Sequence, residues 1–212
     1  MMVERINTYT DPRFAQRVLD QHGAFLVDGM PCEVEIVGKD SAVIRGCPME
    51  AIPELIDAFR FHAPEISRFM DQEGRMIVHE RDEPRFAVSL RDLQPSQFYV
   101  DQDKLKAVRT FVHSPEDVVI QVMPYQERYV VLDGHTRLYA AVQSAFTHVL
   151  AVSAQADETI WMFVQEAEKR GIHTPKDLQV VQHEEYDRLW NRYCDELFAC
   201  VENQQKNETI RD

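Results

Sequence analysis

One short stretch collects the side chains best suited to chemistry: Asp133-Gly134-His135-Thr136-Arg137. It follows a β-branched run, Tyr129–Leu132, and precedes an apolar stripe at Leu138, Ala141, Val142 and Ala145 with the helical period. The stretch is therefore expected to be a strand-to-helix turn. A helix start exposes unpaired N–H groups and the positive end of the helix dipole, which together suit an anion. Gly134 has no Cβ, so the turn can be tight and a ligand can approach the backbone. Arg137 offers a two-pronged partner for phosphate or carboxylate. His135 offers a proton donor or acceptor near neutral pH. Asp133 suits a metal ion, a base or a helix cap. Together they predict catalytic roles for Asp133 and His135, a binding role for Gly134, His135, Thr136 and Arg137, and a metal role for Asp133.

The remaining chemistry-bearing residues are more scattered. His22, His62, His79 and His113 occur singly, without metal-ligand spacing. Glu184, Glu185 and Asp187 after His183 read as a helix start. Trp161 and Trp190 fall on helical stripes and are expected to pack in the core or between domains rather than to form a stacking platform. The four cysteines, Cys32, Cys47, Cys194 and Cys200, fit neither a zinc nor a redox spacing and are expected as reduced thiols.

The turn needs a scaffold, and the sequence predicts an α+β (mixed α/β) chain in three parts: residues 1–82, 83–153 and 154–212. In the first part, Asp11 as N-cap and Pro12 predict a helix over 11–21. Strands are expected at Ala24–Val27, Cys32–Val37 and Ser41–Arg45, the middle one with Glu33 and Glu35 on a wet face. A helix over Met49–Phe61, a helical piece over Glu65–Met70 and a strand at Met76–Val78 follow. The polar run Glu80–Pro84 marks the boundary. The second part offers strands at Phe86–Leu90, Val118–Met123, Tyr129–Leu132 and His148–Val152, with a helix over Asp101–Phe111. Strand, glycine turn, helix and strand read as a βαβ-like unit. The third part predicts a helix over Glu158–Lys169, a capped turn at Thr174–Leu178 and a final helix over Glu184–Glu202, with a polar, frayed end from Asn203.

Composition bounds the partners. The formal net charge of -13 over 212 residues gains nothing from the counterion release that drives binding to a phosphate backbone, so nucleic acid is disfavoured. No apolar run approaches the length that crosses a bilayer, and Met1–Asn7 has no signal core, so a cytoplasmic protein without a membrane partner is expected. The partner expected is a small-molecule anion or nucleotide, with a homodimer as the one candidate assembly.

Leu93-Gln94-Pro95-Ser96-Gln97, then Lys104-Leu105, then Leu132-Asp133-Gly134-His135-Thr136-Arg137-Leu138-Tyr139-Ala140-Ala141 resemble the ParB/sulfiredoxin-like superfamily. The resemblance implies a ParB/sulfiredoxin-like domain with an N-terminal α/β module and C-terminal helices. Sulfiredoxins carry a catalytic cysteine after the glycine, where this chain has His135. ParB proteins carry Glu-Arg-Arg there and bind CTP, whereas this chain keeps only Arg137. The turn is most similar to that of free serine kinases, Asp-Gly-His-His-Arg, with Thr136 in place of the second histidine. That likeness implies a phosphate- or nucleotide-binding protein of phosphotransferase type, using ADP or ATP, or another nucleotide, with Mg2+. Those kinases also use a glutamate in the segment matching Pro95–Tyr99. Here Gln97 is the nearest residue and joins the expected cofactor-binding set, but an amide cannot take a proton; Asp101 or Asp103 would have to substitute as the carboxylate. The alternative is a non-catalytic regulatory or protein-binding module of the same fold.

Overall fold

The computed structural model describes residues 2–6, 8, 10–81 and 84–209, with side chains as far as Val201. The expected boundary at 82/83 falls on residues outside this set. The chain is α+β, built on two large sheets and one small one.

The first sheet has six strands in chain order: β1 (Val3–Arg5), β2 (Ala24–Val27), β3 (Met30–Ile36), β4 (Ser41–Arg45), β5 (Arg68–Met70) and β6 (Met76–His79). Neighbours are antiparallel except β4 and β5, which helix α2 (Ile52–Arg60) connects in parallel. Asp28 and Gly29, at φ 48° and 82°, close the β2–β3 hairpin in the left-handed conformation that two-residue hairpin turns require. One face of the sheet buries Phe25, Val34, Ile44 and Phe69 against Leu55, Ile56 and Phe59 of α2. On a second cluster, Phe14, Val18 and Leu19 pack with Ala24 around the short helix α1 (Gln16–Asp20).

Three sequence expectations change here. The N-terminal helix starts at Gln16, because Asp11 accepts the Arg13 N–H at 3.0 Å and ion-pairs with the Arg13 side chain, which holds 11–14 as a turn. Arg68–Met70 is a strand, not a helical piece, since Phe69 is fully buried beside Ala42. Glu35 is buried rather than wet. It is paired with Arg45 at 2.6 Å and with Arg17 of α1, whose helix covers that part of the sheet.

The second sheet takes β7 (Arg85–Ser89), β8 (Leu93–Pro95), β10 (Val119–Tyr125), β11 (Arg128–Asp133) and β12 (His148–Ser153), in the order β7-β12-β10-β11-β8. Helix α4 (His135–Gln143) follows β11 and packs Leu138, Ala140 and Ala141 into its core. The unit β11-α4-β12 is not a parallel βαβ. The β10–β11 hairpin has already reversed the chain, and β12 returns parallel to β10, opposite in direction to β11. A small parallel pair, β9 (Tyr99–Asp101) with β13 (Gln179–Val181), ties the C-terminal segment to the start of helix α3 (Gln102–Val108).

Helix α5 (Thr159–Lys169) buries Phe163, Val164 and Ala167. Instead of one final helix, α6 (His183–Tyr186) passes through a π-helical turn, Asp187–Asn191, into α7 (Arg192–Thr209). Trp190 and Tyr193 pack against Phe98 and Phe163, with ring centroids 5.0–5.9 Å apart. Among the described residues no helix is long and apolar enough to cross a membrane.

Candidate functional site

Strand β11 ends at Asp133, and Gly134 takes φ 92° before α4 begins. A Cβ at Gly134 would lie 2.8 Å from Ile120 Cγ2, so the position has neither the torsion nor the space for a side chain. Gly134, not Asp133, occupies the N-cap, and no side chain caps the helix. The first-turn amides thus keep their capacity for an outside acceptor. The Thr136 side chain lines the cleft beside them.

His135 turns inward and is 5% exposed. Its Nε2 accepts the Ser96 N–H at 3.2 Å, while the Ser96 hydroxyl donates to the Val131 carbonyl at 2.7 Å. Burial pushes the imidazole down to about 4, so it is neutral at pH 7 with its proton on Nδ1. In this state it positions the end of β8 against α4.

Arg137 is 12% exposed and reaches across the fold. Its Nη2 donates to Asp133 Oδ2 at 3.0 Å and to the His62 carbonyl at 3.2 Å. Its Nη1 stands 3.8 Å from Glu65 Oε1. Asp133 is therefore a partner of Arg137 rather than a cap. Gln97 donates to the Tyr99 carbonyl and to Tyr186 Oη, the latter at 3.2 Å. Asp101 is buried, accepting the Asp103 N–H at 2.8 Å and facing His183 Nδ1 at 2.6 Å; Asp103 pairs with Lys106.

The turn opens onto a cleft of about 470 Å³ whose other wall belongs to the first sheet's module. Residue patterning alone carries no sign of that wall. Arg5, His22, His62 and Glu65 line it, and Lys104 of α3 joins them. Arg5 Nη1 lies 3.2 Å from His22 Nδ1; because a guanidinium only donates, that nitrogen of His22 is the acceptor. His22 and His62 have ring centroids 5.9 Å apart. Burial, and then Arg5, push both imidazoles down, His62 to about 4. Lys104 is half-buried, its Nζ 4.6 Å from the Tyr186 ring centre, and makes no ion pair among the described residues. Burial lowers its pKa, and the pull of Asp101 offsets that loss of hydration only in part. Arg5, His22, Lys104 and Tyr186 also border a second, polar hollow of about 700 Å³.

The donor set does not fit a resident metal ion. Among the described residues no group of three or more His, Cys, Asp or Glu side chains converges. Asp133 would have to release Arg137 to serve a Mg2+ carried on nucleotide phosphates.

No family model and no curated protein matches the chain. Among solved structures the chain is similar to protein Atu1540 from Agrobacterium tumefaciens, with 14% identity and a TM-score of 0.34. The match covers 47% of this chain and 63% of that one, so the chain spans less than two thirds of its length.

Proposed function

We propose that the cleft binds a phosphorylated small molecule, nucleotides included, with its phosphate between the first-turn amides of α4 and the side chains of Lys104 and Arg5. The observation that carries this reading is Lys104: a half-buried ammonium without a carboxylate partner, in a protein of net charge -13. A protein with 36 acidic side chains could readily have paired it. An ammonium left in that condition is a standing site for a ligand anion. The uncapped helix start lies on the same cleft and contributes N–H donors that do not titrate near neutral pH.

The likeness of the turn to that of free serine kinases supports nucleotide phosphates, with Mg2+, as the ligand. No transfer step is assigned, because Gln97 is an amide and Asp101 is buried in bonds of its own. That favours the non-catalytic alternative as the second reading. Four cysteines whose spacing fits neither a zinc nor a redox motif support a reducing, cytoplasmic setting.

Titration calorimetry with ADP, ATP, pyrophosphate and inorganic phosphate tests the proposal. Lys104→Met is expected to weaken phosphate binding about ten-fold or more. It should also leave the melting temperature of the free protein unchanged or raised, because the buried charge makes no ion pair among the described residues to offset its lost hydration. Absence of any heat from all four compounds with the wild-type chain overturns the reading.

A further inference from the structure

Glu65 lies in the segment Phe61–Ile66, which follows α2 and faces the start of α4. Its side chain is 14% exposed, and Oε2 is closed off from solvent with no hydrogen-bond partner among the described residues. The other oxygen stands 3.8 Å from Arg137 Nη1, outside hydrogen-bond reach. Arg137 spends its two hydrogen bonds on Asp133 and the His62 carbonyl. A carboxylate present only to neutralise Arg137 would close on it in the short, forked geometry such pairs adopt. Glu65 does not, although its backbone is held in place by Arg85, which donates to its carbonyl at 2.9 Å. The carboxyl is thus buried, fixed at its root, and short of donors. Burial accordingly pushes its pKa up despite Arg137.

Among the cleft-lining side chains, Glu65 is the one with an orphaned acceptor atom. We infer that Glu65 is a ligand-binding residue whose free carboxyl oxygen accepts a hydrogen bond from a hydroxyl of the bound phosphate ester, so that the cleft selects hydroxyl-bearing phosphomonoesters over their deoxy counterparts. The inference rests on the phosphate reading above. The terminal torsion of a glutamate is soft, so a small rotation brings Oε2 to the cleft without moving the backbone. Phosphate held by Lys104 and the α4 amides, and hydroxyl held by Glu65, would then come from opposite walls. A ligand of this kind joins the two modules.

The test is calorimetry on the full chain with inorganic phosphate and two matched pairs: glycerol 3-phosphate against propyl phosphate, and ribose 5-phosphate against pentyl phosphate. The wild type is expected to prefer the hydroxylated member of at least one pair by about ten-fold or more, because a site built around a hydroxyl leaves a buried acceptor unmet without it. Glu65→Met should abolish that preference while leaving inorganic phosphate within about two-fold of wild type. Glu65→Gln, which keeps one acceptor oxygen in the same shape, should retain part of the preference and serves if the methionine variant does not fold. Phosphate binding without discrimination in either pair overturns the inference and leaves the phosphate reading standing. Full discrimination in Glu65→Met also overturns it. Failure of the wild type to bind any of the five compounds removes the phosphate reading and this inference together.

Discussion

Gly134 carries two constraints at once, a φ of 92° and an Ile120 methyl group 2.8 Å from where a Cβ would stand. Alanine there must take up left-handed backbone, at about 1–2 kcal/mol, and also push into Ile120, where overpacking adds a comparable amount. Gly134→Ala is therefore expected to lower stability by roughly 2–4 kcal/mol in denaturant titration. A loss below about 0.5 kcal/mol, the range of ordinary surface changes, would mean that the turn is not built this way. The glycine was legible in the sequence because a β-branched run ended on it and a helical stripe began after it. The duty of Arg137 was not. Its type predicts affinity for oxygen anions, but only the fold reveals that a carboxylate, Asp133, and the neutral His62 carbonyl engage it from within.

At the scale of elements, the apolar period located α4, most of the strands and the span of α5. It failed where a local or tertiary contact outweighed it. Asp11 turned its segment on Arg13, and Phe69 was drawn into the sheet beside β4. The βαβ reading failed because periodicity does not encode strand direction, which the β10–β11 hairpin had set. His135 shows how elements are locked together, since its Nε2 takes the Ser96 N–H at the end of β8 while Ser96 binds Val131 on β11. That lock has a pH signature. The ring falls from 6.5 in the open chain to about 4 in the fold, so below 6.5 the unfolded state binds a proton that the folded state refuses. Its stabilisation is present above pH 6.5 and is lost as the pH falls towards 4, by on the order of 3 kcal/mol. His22 and His62, also pushed down, add to the same trend. Unfolding free energies measured between pH 7.5 and 4 should fall less steeply in His135→Gln than in wild type, by about one proton's worth of slope. Identical slopes would contradict a buried, neutral ring.

At the scale of the molecule, the candidate site exists because two modules meet. Arg5, His22, His62 and Glu65 come from the first, and Lys104 and the α4 turn from the second. A sequence pattern reports which face of an element is buried, never which modules oppose each other, so His22 and His62 looked like isolated histidines. The overall charge of -13 hid the site further, because the cations that gather at the cleft are a few among 23. The join itself is made by side chains of the second module reaching carbonyls of one segment in the first. Gln121 binds Phe61 at 2.6 Å, Arg137 binds His62 at 3.2 Å, and Arg85 binds Glu65 at 2.9 Å. Such a segment, held by side chains outside any sheet ladder, opens more readily than the sheets on either side. A ligand gripped from both walls adds its binding energy to the closed arrangement alone and suppresses that opening. Hydrogen exchange with saturating glycerol 3-phosphate is therefore expected to slow at 61–66 and at 135–138 together, while β6, which lines no part of the cleft, stays unchanged. Slowing at 135–138 alone would place the ligand on the helix start without the first module, and the two-walled cleft would not be the binding site.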